Sequence, residues 1–354
     1  MSSEGHAGSG RMEGGGYYAA HSEAQQAYGE LGFEWLEQAA AEVEPPPAPL
    51  PFVIADMGAA GGGNSLEPMR RALAARRSPG PALVVHTDIP GNDFSVLFEL
   101  VAGSPQTYLT GDVYALAEGR SFYERLLPDG VLSLGWSSIA VHWLSRVPEP
   151  VPDHIWTTFA TGSVRDALRE QSARDWRAFL GHRARELRPG GRLIVIGGAA
   201  RDDGESEAEG LMELALGVLR TLVDDGAIEA DELRRMTIPT WDRTSVEFVE
   251  PFESGELDDA LELRRRAARW LPDPYFEAYS RDGDVDQYAE SVAGFFRAAF
   301  EQSLWAALDP AGGPERTAAV ASRFNASLRE RIAAEPERAA CRWHVVVLDI
   351  ARAS

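Results

Sequence analysis

Cysteine is almost absent from this chain of 354 residues: Cys341 is the single thiol. One thiol excludes an intrachain disulfide and a cysteine-rich metal site. It reads as a small core residue near a C-terminal strand. Basic side chains are also scarce, with 34 Lys and Arg against 55 Asp and Glu and a formal net charge of -21. Such a surface repels phosphate backbones, so nucleic acid is not an expected partner. No apolar run approaches the roughly 18 residues that span a bilayer. The opening MSSEGHAGSGRMEGGG has no apolar stretch of the kind a secretory signal needs. The expectation is a soluble, cytoplasmic protein without a membrane partner. The 7 histidines are scattered with no HxxxH spacing, so no metal is expected. Residues 1–11, small and polar, read as a disordered tail.

The chain is 44% hydrophobic and 25% charged, enough for one large domain or a core with a cap. Residues 17–43 carry a helical pattern that PPPAPLP at 45–51 stops. Strands are expected at 52–56, 82–88, 107–112, 131–138, 192–198 and 343–350. Helices are expected at 65–77, through 94–102 and at 172–188, the last closed by Pro189-Gly190-Gly191. Strands alternating with helices predict a doubly wound α/β sheet. Residues 206–340 are mostly helical and aromatic in pattern and too many for one crossover. They are expected to form a helical cap, leaving 12–205 and 341–354 as the sheet core.

FVIADMGAAGGGN at 52–64 is a strand running into a glycine-rich turn. Two cofactor chemistries compete for such a turn. A dinucleotide site reads GxGxxG with an acidic residue about 20 positions on; here there is no clean GxGxxG. Asp56 instead stands at the strand end, where a carboxylate can hold the amino-acid end of S-adenosylmethionine. Asp88 closes the second strand, where it can accept from both ribose hydroxyls. Together they favour S-adenosylmethionine over NAD.

At this point the chain resembles the SABATH methyltransferases, which methylate salicylate-, benzoate-, jasmonate- and indole-acetate-type acids, with N-methylating relatives. MEGGGYYAAHSEAQQ (12–26), IADMGAAGGGN (54–64), TDIPGNDFSVLF (87–98), RSFYERLLP (120–128), SSIAVHWLSRVP (137–148) and IPTW (238–241) follow the family's blocks in order. The PGNDF and SFYxRL blocks are the most specific. The resemblance implies a Rossmann-like methyltransferase sheet with a mostly helical cap, a carboxyl methyltransferase activity, S-adenosylmethionine as cofactor and a homodimer. It also implies site residues. Asp56 and Asn64 would hold the methionine part, with Tyr18 and Ser22 nearby, and Gly58 is a further cofactor contact. Asp88 and Ile89 would hold the ribose and flank the adenine, Ser121 and Phe122 would contact the adenine end, and Ser137 is a further cofactor contact. Gln25 and Trp143 would hydrogen-bond the substrate carboxylate, with His142 a further candidate. His21, Trp136, Ile139, Leu211, Met212, Trp241, Phe296 and Phe324 would line the acceptor pocket. The two tryptophans favour a flat aromatic or elongated apolar acid.

A carboxylic acid of pKa about 4 is ionised at neutral pH. Its methylation needs no general base, and positioning and desolvation carry the rate. The family's opening lysine is Glu13 here, and the loop after it is two residues shorter. A glutamate aimed at a carboxylate would repel it strongly in a dry site. Glu13 is therefore expected to face solvent; the alternative is a ring-nitrogen or phenol acceptor.

Overall fold

The computed structural model describes residues 12–13, 17, 23–201, 206–255, 257 and 260–353, the side chains of 23–26 excepted. The expected tail at 1–11 and the candidates Tyr18, His21, Ser22 and the Gln25 side chain lie outside the described residues.

In chain order the elements are α1 (Glu23–Glu30), α2 (Phe33–Glu42), β1 (Phe52–Met57), α3 (Leu66–Ala75), β2 (Ala82–Asp88), α4 (Phe94–Gly103), β3 (Val113–Gly119), β4 (Leu132–Ser138), α5 (Gly162–Glu186) and β5 (Leu187–Gly198). They continue with α6 (Glu209–Asp224), α7 (Ala230–Arg235), α8 (Ser245–Glu253), β6 (Leu261–Leu271), α9 (Pro274–Asp282), α10 (Val285–Ala299), α11 (Glu301–Trp305), α12 (Gly313–Ala334), α13 (Pro336–Ala339) and β7 (Trp343–Arg352).

The strands form one sheet in the order β3-β2-β1-β4-β5-β7-β6. β1 to β5 are parallel, and β7 runs antiparallel to both β5 and β6. β1 is buried along its whole length because helices cover both faces of the sheet. One face packs Leu36, Met69 and Leu97 from α2, α3 and α4. The other packs Trp176, Phe179 and Leu180 of α5 with Phe248 of α8. A separate apolar core joins α6, α10 and α12 through Leu211, Met212, Phe296 and Phe324. On β7 the buried Asp349 accepts from Arg192 of β5 and, at 2.8 Å, from Arg265 of β6. That charge-assisted pairing stitches the antiparallel edge together.

Three expectations shift. The third strand lies at Val113–Gly119 rather than 107–112, where the chain turns through Gly111 at φ +60. VYALAEG is a half-exposed edge strand, so its apolar signal is weaker than that of the segment before it. The long helix begins ten residues early, at Gly162, and ends at Glu186, so Pro189-Gly190-Gly191 sits inside β5 as an irregularity in its pairing with β4. Finally, the span 206–340 contains a sheet strand, β6, beside its helices. LELRRRAARWL is largely exposed and arginine-rich, which hides its strand pattern.

The chain leaves β1 toward β2 on one side and reaches β4 on the other. This divergence opens a crevice at the carboxyl ends of β1 and β4, the usual ligand position in such sheets. No helix among the described residues is long and apolar enough to cross a membrane.

Candidate active site

A cavity of about 1590 Å³ occupies that crevice, with Gly58, Ala60, Asp88, Ile89, Ser121, Phe122, Ser138, Ile139 and Trp143 among its lining. The glycine turn forms its floor. Gly58 and Gly62 adopt φ +86 and +83, which glycine takes without steric cost. A Cβ at Gly58 would stand 2.5 Å from the Ala140 Cβ, so the turn and the segment after β4 are in close approach. The amides of Gly58 and Ala59 donate to the Thr87 carbonyl at 2.9 and 3.1 Å, fixing the turn on the end of β2.

Asp88 faces the cavity with both oxygens oriented by backbone amides, Ala60 N–H at 2.7 Å and Ile89 N–H at 2.8 Å. Burial pushes its carboxyl up to about 6, against the opposing effect of those two amides. Each oxygen keeps a lone pair for a further donor. Asp56, 4% exposed, has its Oδ2 engaged by the Ser65 hydroxyl at 2.5 Å and by His86 Nδ1 at 2.8 Å. His86 Nε2 in turn lies 2.5 Å from the Tyr108 hydroxyl. This buried chain from Tyr108 to Asp56 was not foreseen, although a histidine inside an apolar strand is its signal. Asn64 is half-buried in the turn before α3.

A vicinal diol and a flat base fit this donor set. Asp88 supplies an oriented carboxylate for the hydroxyls, Ile89 and Phe122 supply apolar faces, and the side-chain-free Gly58 lets a ligand approach the backbone.

Trp143 stands where the large cavity meets a smaller one behind it. Its backbone is clamped from several elements. The Tyr123 hydroxyl lies 2.6 Å from the Trp143 carbonyl and 2.9 Å from that of Val141, serving both. Leu144 N–H donates to Pro239 at 2.7 Å, and Ser145 gives both its amide and its hydroxyl to Asp175. Arg183 holds the other end of the clamp by donating to the carbonyls of Phe122 and Glu124, both at 2.9 Å. The Trp143 indole N–H has no hydrogen-bond partner among the described residues. Tyr123, inside the SFYERL block, is a positioning residue the motif reading passed over.

Other expected lining residues stand elsewhere. Ser137 is fully buried and donates to the Met57 carbonyl at 3.2 Å; the next residue, Ser138, reaches the cavity. Trp136 packs against Phe33 in the sheet core, ring centroids 6.0 Å apart. Trp241 packs with Leu144, Val151 and Leu168, and its indole N–H donates to Glu247. Leu211, Met212, Phe296 and Phe324 are buried in the helical core. The side chains on the smaller cavity are instead Tyr28, Trp156, Phe295, Phe300 and Trp343. Ile139 lines both cavities and His142 the smaller one.

Glu13 does not face solvent. Its carboxylate accepts from Arg297 Nε at 2.7 Å and Nη2 at 2.5 Å, and its amide donates to the Ala298 carbonyl at 3.2 Å. The Arg297 guanidinium also lies 4.1 Å over the Tyr17 ring. The glutamate is neutralised by a cation from α10.

The sequence matches the SAM dependent carboxyl methyltransferase family over residues 6–351. The chain belongs to that family. Its cofactor is S-adenosylmethionine, and the family's activity is carboxyl methylation. It is similar to the salicylate carboxymethyltransferase of Clarkia breweri, 28% identical over 72% of this chain and 74% of that one. It is likewise similar to indole-3-acetate O-methyltransferase 1 of Oryza sativa subsp. japonica, 29% identical over 80% of this chain and 81% of the relative. A solved loganic acid methyltransferase with S-adenosylhomocysteine shares the fold at a TM-score of 0.77 and 22% identity, covering 97% of this chain and 99% of its own.

Proposed function

We propose that this methyltransferase forms methyl esters of small, largely apolar or aromatic acids, with Trp143 orienting the acceptor carboxylate. The observation that supports this is the placement of Trp143: its backbone is immobilised and the residue lines both cavities. A donor held in this way fixes a carboxylate oxygen without removing its nucleophilicity. Gln25 is the second donor in this reading.

S-adenosylmethionine supplies, when bound, a methyl group on a sulfonium centre. Asp88 holds the ribose and Phe122 and Ile89 flank the base. The acceptor arrives as an anion, so no protein group has to take a proton from it. The aromatic wall of Trp156, Phe295 and Phe300 keeps water from competing for the carboxylate. The pairing of Glu13 with Arg297 favours this reading over a nitrogen or phenol acceptor, since it removes the negative charge that would repel an acid. By the family's habit the enzyme would be a homodimer, which light scattering of the purified protein tests.

The deciding experiment supplies cofactor labelled at its methyl together with a library of carboxylic acids, phenols and N-heterocycles. Label in a base-labile ester supports the proposal. Label confined to base-stable products overturns it.

A further inference from the structure

The smaller cavity, about 30 Å³, shares Met12, Ile139 and Trp143 with the large one. Its walls are mostly aromatic, yet four polar side chains line it: Tyr28, His142, Thr240 and Asp242. Tyr28 Oη, His142 Nδ1 and Thr240 Oγ1 are buried and make no hydrogen bond. The three residues are 3%, 9% and 1% exposed. An orphaned polar group of this kind is costly to bury. His142 Nδ1 borders this space and Thr240 and Tyr28 line it, so the space asks for a polar occupant.

Asp242 sets the sign of that occupant. A Cβ placed on Gly198 would lie 2.8 Å from His142 Nδ1 and 3.2 Å from Asp242 Oδ1, so both atoms border the space above the bare Gly198 backbone. Asp242 accepts no hydrogen bond from any described residue, and burial, reinforced by Glu209, pushes it up to about 7. Burial with the nearby Arg243 pushes His142 down to about 3, so its ring is neutral at physiological pH and offers one acceptor and one donor. The hydroxyls of Tyr28 and Thr240 adapt to either role. The unmet need is for a donor. A space of this size accepts a hydroxyl or an N–H, not a ring.

We propose that Asp242, assisted by Thr240, His142 and Tyr28, selects acceptor acids that carry a hydroxyl or N–H donor at the end remote from the carboxylate. This rests on the carboxyl-methylation reading and narrows its substrate class. Trp143 fixes one end of the acid, and Asp242 reads the other across the aromatic wall.

The test measures methyl ester formation on matched pairs: 4-hydroxyphenylpropanoic against phenylpropanoic acid, and indole-3-acetic against its N-methyl derivative. The wild-type enzyme is expected to favour the donor-bearing member of each pair by about tenfold or more in kcat/KM. Asp242→Asn, and separately Thr240→Val, are expected to pull that ratio toward one, while S-adenosylhomocysteine affinity by calorimetry stays constant and reports an intact fold. A ratio near one in the wild type, the result if the cavity holds only water, overturns the inference. So does a ratio unmoved in both variants. Esters formed without discrimination defeat the donor selection alone; no base-labile ester from any acid defeats the carboxyl reading as well.

Discussion

At the ends of β1 and β2 the ligand site is made largely of main chain. Amides of Gly58, Ala59, Ala60 and Ile89 set the turn and orient one carboxylate, Asp88. Around Trp143 the construction is reversed. There the main chain is held by distant side chains, Tyr123, Asp175 and Arg243, and the surface offered to the acceptor comes from separate helices and strands. Under the proposed assignment the main-chain site recognises what every member of the family shares, the cofactor. A side-chain site can be re-lined one residue at a time, which suits an acceptor that differs between relatives.

Asp88→Ala is the strongest way to break this comparison. It removes the partner of two amides and, under the proposed assignment, two acceptors for the ribose, each charge-assisted bond worth about 1.5–3 kcal/mol. S-adenosylhomocysteine affinity, read by calorimetry, should fall by about two orders of magnitude. A change under threefold would place the ribose elsewhere.

The same residue gives the cofactor side a pH signature. Burial raises the folded-state Asp88 to about 6, above its ordinary range. Ribose hydroxyls donate to the ionised form, so bound cofactor lowers that value. Affinity is therefore full above pH 6 and falls by about tenfold per unit below it, while protonation lasts. For the ligand-free fold the sign is opposite, because the native state binds the proton more tightly than the unfolded chain. The Asp88 contribution to stability is fully present below about pH 4 and declines as pH rises through 6. Calorimetric titrations between pH 5 and 8 check the first slope, and Asp88→Asn should flatten it.

Tyr123→Phe probes the other side. It keeps the ring and deletes a donor shared by two carbonyls. At about 1–1.5 kcal/mol, kcat/KM for the acid should fall by about tenfold. The KM for the cofactor should move by less than the acid's kcat/KM; an equal change in both would erase the distinction between the two sides.

The smallest effect is expected at Arg297→Gln. The Glu13–Arg297 pair is part-exposed, at 18% and 40%, so its loss should cost under about 1 kcal/mol of stability. An unpaired Glu13 should still raise the KM of an anionic acceptor a few-fold, and Glu13→Gln in the same background should restore it.

The sheet was legible where burial is two-sided. FVIADM and RLIVIGG are near-continuous apolar runs, whereas the edges β3 and β6 carry exposed or charged residues that mimic loops. On the cofactor side, the glycine turn and Asp88 are local features, since the residues that cooperate lie within one strand-turn unit and the strand beside it. The acceptor side depends on facing. Along α10, Phe296 turns into the helical core while Phe295 reaches the cavity, since neighbours on a helix point about 100° apart. On β4, Ser137 and Ser138 point to opposite faces for the corresponding reason. Trp136 and Trp241 resembled pocket walls by residue type, and only the packing of Phe33 on one and Leu168 near the other shows them as core. Thr240 is the variable position of the IPTW block and Asp242 lies just past it, so neither is marked by residue type; their proximity to His142 is created by the pairing of Trp143 with Thr240.

Phe122 and Tyr123 are consecutive residues that both line the large cavity, and Tyr123 also fastens the Trp143 backbone. The two rings meet edge to face with centroids 4.7 Å apart, so under the proposed assignment a cofactor that settled Phe122 would also bear on Tyr123 and, through its hydroxyl, on Trp143. The two substrates would then share a single mechanical element, held at its base by Arg183. Linkage requires such help to be mutual: whatever factor the cofactor adds to the acid's affinity, the acid returns to the cofactor.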